Sequence, residues 1–311
     1  KMGRQTMTTD QLSALLSLDP AAVLENDRRQ YFGQIAQAAD LIALNAAQRP
    51  VVLLAGPSGS GKTTTALLIE RALRQRGLLT HTLQLDDYFS SLSAEEVALM
   101  HQGKLDLEKP TRIDIPFLQA QIDDLLSGRE VRLPRYDFMQ NRRVDSGRTL
   151  RRDANEIVIM EGIHALNPEV TRHSEQTTRI YVSVRTRITT HAGRTLHPSC
   201  IRLARRLLRD RMGRGRSLRE TIEMHGKVDC GEQAYIIPFK PNAHFSIDSF
   251  YSAELSVYRP FLLGDLTALV PEYPELALLT QTLRELPNTS ADLVPCDSLL
   301  REFIGGSELN Y

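Results

Sequence analysis

Tryptophan is absent from this 311-residue chain, aromatic residues make up only 6% of it, and cysteine occurs three times. Cys200, Cys230 and Cys296 are too few, odd in number and too far apart for a disulfide framework or a zinc-ligand pair. That usage fits a reducing, cytoplasmic setting. No apolar run approaches the ~20 residues a membrane helix needs, and the amino end carries no signal-peptide core, so a soluble protein with no membrane partner is expected. Neither sign of charge dominates, with 38 Lys plus Arg against 38 Asp plus Glu. Bulk attraction to nucleic acid is therefore excluded, and no nucleic-acid module is recognisable. The eight histidines are scattered without metal-ligand spacing.

What the chain does have is a complete phosphate-binding loop, Gly56-Pro57-Ser58-Gly59-Ser60-Gly61-Lys62-Thr63-Thr64, directly after the apolar run Val51-Val52-Leu53-Leu54-Ala55. A strand that feeds a glycine-rich turn and then a helix points backbone N–H groups and the positive helix end at one spot. Glycines permit the close approach and the unusual dihedrals. In this pattern (Walker A) the Lys62 ammonium reaches the β and γ phosphates of a nucleoside triphosphate, and the Thr63 hydroxyl ligates Mg²⁺. The bland alternative is a strand-to-helix turn without a ligand.

Apolar periodicity predicts two helices from Thr8 to about Gln48, a strand over 51–55, and a helix from Lys62 to Arg76 that ends near Gly77. Further strands are expected at 81–85, 157–160, 179–184 and 244–247. Strands alternating with helices indicate an α/β fold with a doubly wound, mainly parallel sheet. We divide the chain into an N-terminal helical extension (1–48, of which 1–7 resembles a trimming remnant), a P-loop core (49–265) and a C-terminal helical extension (266–311) packed on the core. The last segment either covers the core or forms a subunit interface, so a homo-oligomer stays open.

Ligands of such sheets bind at the carboxyl ends of the strands. Asp86 and Asp87 end one predicted strand and Glu161 another, with His164 following. Acidic side chains there can act as base or metal partner, whereas capping of the next helix is the alternative, most of all for Asp87. His164 reads as a local hydrogen-bonding residue. Between Arg202 and Arg216 seven arginines occur, and Arg202, Arg205, Arg206 and Arg209 recur at steps of three and four. That face can neutralise a transferring phosphoryl group as a lid over about 199–228, hinged at Gly213 and Gly215. It can equally be a solvated basic face or an RNA footprint.

Taken together these blocks resemble the uridine kinase and phosphoribulokinase family of P-loop kinases. The resemblance rests on the loop 56–64, Asp86-Asp87-Tyr88-Phe89, the stretch 110–114, Arg135-Tyr136-Asp137-Phe138 with Arg142 and Arg143, Glu161-Gly162-Ile163, and the arginine segment 202–216. Within the family the chain is most similar to bacterial nucleoside kinases that carry a threonyl-tRNA-synthetase-like N-terminal domain. The residues that carry this likeness are 161–168, Gly231-Glu232 with Pro238-Phe239, and 298–307; the extra domain has no counterpart in this sequence. The resemblance implies ATP- and Mg²⁺-dependent phosphoryl transfer to a small-molecule acceptor, the 5′-hydroxyl of uridine or cytidine first. It makes Asp86 the base, Lys62, Arg206 and Arg209 its catalytic companions, and Gly56, Ser58, Gly59, Ser60, Gly61, Lys62, Thr63, Thr64 and Arg214 the ATP contacts. Thr63 and Glu161 hold Mg²⁺, and Glu108, Tyr136, Phe138, Asn141 and Arg216 meet the acceptor. The pattern departs from the pyrimidine kinases at Asn141, Met224 and Leu107, where they have histidine, glutamine and phenylalanine. Another nucleoside, a polyol, or a non-catalytic ATP-binding module are the alternatives.

Overall fold

The computed structural model describes residues 6–309 apart from 103 and 173. Its helices are α1 (Thr9–Leu18), α2 (Pro20–Asn45), α3 (Lys62–Gln75), α4 (Ala94–His101), α5 (Ile115–Leu126), α6 (Pro168–Thr171), α7 (Pro198–Gly213), α8 (Leu218–Tyr235), α9 (Glu254–Leu269), α10 (Ala277–Glu285) and α11 (Arg301–Ile304). Its strands are β1 (Thr6–Thr8), β2 (Val51–Ala55), β3 (Leu79–Gln84), β4 (Glu130–Asp137), β5 (Arg142–Arg151), β6 (Glu156–Glu161), β7 (Thr177–Ser183), β8 (Arg187–Thr189), β9 (Thr195–Leu196) and β10 (Phe245–Asp248).

Five of the strands form a sheet in the order β10-β7-β2-β6-β3, parallel throughout. Every residue of β2 is buried, as expected for an unbroken apolar run at the centre of a parallel sheet covered on both faces. Its side chains alternate between two cores. Val52 and Leu54 join the cluster under α1, α2, α3, α7 and α9, while Val51, Leu53 and Ala55 join the one beneath α5 and the β4–β5 hairpin. The strand order reverses beside β2, so the loop that follows it opens into the crevice where such sheets bind ligands.

The N-terminal helices start and stop for local reasons. Thr8 and Gln11 form a capping box on α1, and Asp19 accepts from Ala22 N with Pro20 opening α2. The stretch to Met7, set aside in the sequence as a remnant, is structured from Thr6 onward: β1 pairs in parallel with β8. Residues 1–5 lie outside the described residues. The hairpin β4–β5 and the small sheet β1-β8-β9 are additions to the expected fold.

Helix α7 differs from a freely moving lid. Ile201, Ala204, Leu207 and Leu208 are completely buried, and the four arginines expected on one face divide among different partners. Arg205, fully buried, donates Nε to Glu254 Oε2 at 2.7 Å, Nη2 to Ser249 O at 2.6 Å and Nη1 to Gly59 O at 3.2 Å. Arg202 is buried in an ion pair with Glu232. The stretch from Arg211 to Ser217 is exposed throughout. It contains Gly213, whose Cβ position has nothing within 4 Å, and Gly215, with φ +64.

Candidate active site

The phosphate loop is held so tightly that three of its glycines have no substitute. A Cβ on Gly56 would lie 2.1 Å from Val182 O, one on Gly59 3.0 Å from Arg202 O, and one on Gly61 2.4 Å from Leu299 Cδ1. Gly59 and Gly61 also have φ of +75 and +83, the left-handed region that favours glycine. The turn delivers Lys62 to the first position of α3, where its Nζ donates to Pro57 O at 3.3 Å. Thr63 Oγ1 donates to Glu161 Oε1 at 3.1 Å, joining the loop to the end of β6.

Lys62 is the shared opposite charge of three carboxylates. Asp86 follows β3 in a tight 3-10 turn, keeps part of its surface on the cavity and is otherwise packed about by protein. Burial raises its proton affinity, against the pull of Lys62, and the neighbouring Asp87 charge raises it further. Burial likewise lifts Glu161 to about 7, with Lys62 opposing and Asp86 adding. Glu108 is also lifted to about 7 by burial, with Arg206 and Lys62 opposing. Like charges crowded into one desolvated crevice favour protons or cations. Asp87 does something else. Its Oδ1 accepts from Tyr136 N at 3.1 Å and pins β4, and the residue does not line the cavity that Asp86 and Glu161 share.

Thr63 and Glu161 suit Mg²⁺, a hard cation that takes oxygen ligands and keeps several waters beside phosphate oxygens. Among the described residues no group of three or more His, Cys, Asp or Glu side chains is placed to hold a metal. The ion would thus complete its shell from phosphate and water rather than from a protein cage.

Across the crevice the cavity, about 550 Å³, ends in an aromatic corner. Tyr136 packs edge-on against Phe89, with centroids 5.6 Å apart, and against Phe138 at 5.0 Å. Arg112 Nη2 donates to Tyr136 Oη at 3.2 Å while its guanidinium lies over Phe89. Asn141 turns the hairpin with φ 51, a conformation asparagine tolerates, and its carbonyl accepts from Leu92 N. Glu108 Oε2 is buried with no hydrogen-bond partner among the described residues. His164, behind Glu108, is almost fully buried; desolvation lowers it to about 4 and keeps it neutral.

Residues 51–256, more than half of the chain, match the phosphoribulokinase / uridine kinase family. The chain belongs to this family. Among curated relatives, the uridine kinase of Schizosaccharomyces pombe is 30% identical over 257 residues, which take in 76% of this chain and 52% of the yeast protein. The match thus spans about half of that relative's length. The uridine kinase of Lactobacillus helveticus is 32% identical over 195 residues, 62% of this chain and 83% of that protein. Two solved structures are more distant. A possible uridine kinase from Bacillus stearothermophilus shows 18% identity and a TM-score of 0.46 over 68% of this chain and 98% of that one. The D-glycerate 3-kinase from Cryptococcus neoformans shows 15% identity and a TM-score of 0.44 over 65% and 87%.

Most of the residues expected at the site of a phosphoribulokinase / uridine kinase family member meet in one cavity. Ser58, Gly59, Gly61, Lys62, Thr63, Asp86, Glu108, Tyr136, Phe138, Asn141, Glu161, Arg209, Arg214 and Arg216 all line it, together with Leu107 and Met224. Gly56, Ser60, Thr64 and Arg206 do not. Gly56 and Thr64 support the loop from behind, and Ser60 Oγ is buried without a partner among the described residues. Arg206 lies beneath the loop in a crevice with Ser58 and His225. Burial pushes it down to about 10. Arg209 donates to its neighbour Asp210, which also faces Arg214 at 3.7 Å. Among the further lining residues, Arg112, Phe89 and Glu302 have no role in the sequence reading. Arg112 sits within the family stretch 110–114, and Phe89 closes the block that begins at Asp86, so both were within reach. Glu302 lies in the stretch 298–307 that carries the likeness to the nucleoside kinases, but nothing local points to its partner Thr64, 238 positions away.

Proposed function

We propose that this chain transfers the γ-phosphoryl group of ATP to the 5′-hydroxyl of a nucleoside, uridine or cytidine first. The observation that carries the reading is the partnerless Glu108 Oε2, buried in the same cavity as Lys62 and Asp86. A buried carboxylate oxygen lacking a donor is suited to a ligand hydroxyl, and a ribose diol supplies two. In this reading Lys62 and the loop amides hold the triphosphate, and Asp86 orients the acceptor hydroxyl and takes its proton. Arg206, Arg209 and Arg214 offset the charge that develops in transfer, and Tyr136 and Phe138 border the base, with Asn141 and Arg216 near it. Thr63 and Glu161 would hold Mg²⁺, which when bound supplies positive charge to the β and γ phosphate oxygens. The raised proton affinity of Asp86 is what a general base needs, since a carboxylate at its ordinary value would hold the proton too weakly.

A second reading keeps the mechanism and changes the acceptor. Met224 offers no useful hydrogen bond to a base edge, and Asn141 spends its backbone turning the hairpin. These two residues favour another nucleoside or a polyol. The finer likeness to bacterial nucleoside kinases with a synthetase-like domain, and any homo-oligomer, belong to the same proposal. No described helix is long and apolar enough to cross a membrane. The test is ADP release measured with a panel of nucleosides and polyols. Uridine or cytidine is expected to stimulate it most; a panel in which no acceptor stimulates turnover would sink the kinase reading in favour of an ATP-holding module.

A further inference from the structure

The carboxy-terminal segment touches the phosphate loop at three points, from far away in sequence. Thr64, the residue after Lys62 and Thr63, donates its hydroxyl to Glu302 Oε2. Leu299 fills the space where Gly61 lacks a Cβ. Phe303 lies 5.2 Å from the Arg205 guanidinium, which itself donates to Gly59 O. Glu302 is thereby fixed on the wall of the cavity that holds Lys62 and Thr63. The direction of that wall is informative. Arg205 ties the segment to Ser249, just past β10, at the sheet edge opposite to β3, whose end carries Asp86.

We infer that residues 299–302 complete the donor-nucleotide site, with the Glu302 carboxylate accepting hydrogen bonds from hydroxyl or amino groups of the donor's nucleoside half. The inference rests on the kinase reading of the cavity. In-line transfer sends the donor's leaving group away from the acceptor, so the nucleoside half extends from the loop on the side away from the acceptor, and Glu302 sits at the last residue of the loop, Thr64, on a segment packed through Phe303 on Arg205, which reaches Ser249. Phosphate is the wrong partner for this group: a carboxylate repels it, and the Glu302 charge already adds to the burden on Glu161. Hydroxyl and amino groups are the right ones, because an ionised carboxylate is acceptor-only and its bonds are stronger than neutral ones. Glu302 makes no ion pair among the described residues, and its Oε1 is left for a ligand.

The experiment compares the full chain with Glu302→Gln for affinity toward ATP and toward inorganic triphosphate, each with Mg²⁺, by titration calorimetry. Loss of one charge-assisted hydrogen bond predicts ATP binding weakened about tenfold, with triphosphate binding unchanged within about twofold. Equal weakening of both ligands would reduce the segment to a prop for the loop and overturn the inference. Tightening of both would make Glu302 a repellent of phosphate, and no change in either would remove it from the site. A wild-type chain that binds neither ligand removes the kinase reading itself, and this inference with it.

Discussion

Asp86 faces Lys62 and still holds its proton more firmly than a free aspartate, because burial outweighs the pull of Lys62 and Arg214. Asp86→Asn keeps the shape and removes the base. Turnover should fall by about a hundredfold or more while ATP affinity stays near wild type; near-normal phosphorylation would take Asp86 out of that role. Glu161 gives a pH prediction. Its folded value of about 7 lies above that of an unfolded glutamate, so the folded state binds the extra proton. Its contribution is present below the unfolded value and is lost as pH rises through about 7. Thermal unfolding of the ligand-free protein should therefore show Glu161→Gln gaining on wild type between about pH 5 and 8, by no more than about 3 kcal/mol. At this scale the loop residues, Asp86 and Glu161 were legible because motif and strand end coincide. The contacts of Arg112 and Glu302 were not, although both residues lie in stretches that carry the family likeness, because their partners Tyr136 and Thr64 are supplied by folding and not by spacing.

Periodicity in α7 announced a helix with arginines at steps of three and four, yet it could not say which arginines point inward. A guanidinium next to leucines is ordinarily a surface group. Here Glu254, 49 positions on, makes burial of Arg205 tolerable, and no local pattern foretells that pairing. The helix is thus partly a structural beam, with loop, sheet end and tail attached to one side chain. Glu254→Gln leaves a buried charge without its counter-ion and should cost about 3–5 kcal/mol in urea unfolding, while Arg205→Met with Glu254→Leu should recover much of it. If the region moves in turnover, the exposed stretch after Arg211 is where the Gly213 and Gly215 backbones are unobstructed. Gly215→Ala, strained by the φ of +64, should slow turnover more than it lowers the melting temperature.

At the scale of the molecule, one sheet divides two cores, and the N-terminal helices are fastened to the site as well as to the sheet. Tyr31 Oη and Thr65 Oγ1 share a buried hydrogen bond of 2.7 Å between α2 and α3. MgATP binding should accordingly stabilise the whole chain in a single transition, by about 2.7 kcal/mol at a hundred times its dissociation constant; two separate melts would contradict this. The middle of the central sheet was legible because the buried parallel strands β2 and β6 are nearly unbroken apolar runs. The β4–β5 hairpin and the β1-β8-β9 sheet were not: their strands are short or mostly polar, and β1 finds its partner only after residue 187 has been brought to it.

The rim of the cavity has a consequence for how such a chain changes over generations. Phe138 is 63% exposed, Met139 93% and Leu107 37%, so their replacement creates no void and removes little burial. At Gly56 a methyl group would run into the Val182 carbonyl, and at Gly59 and Gly61 the left-handed backbone strains any side chain. A lineage under selection for a new acceptor would therefore accumulate its substitutions on the rim, keep the loop letter for letter, and exchange substrates many times without exchanging its fold.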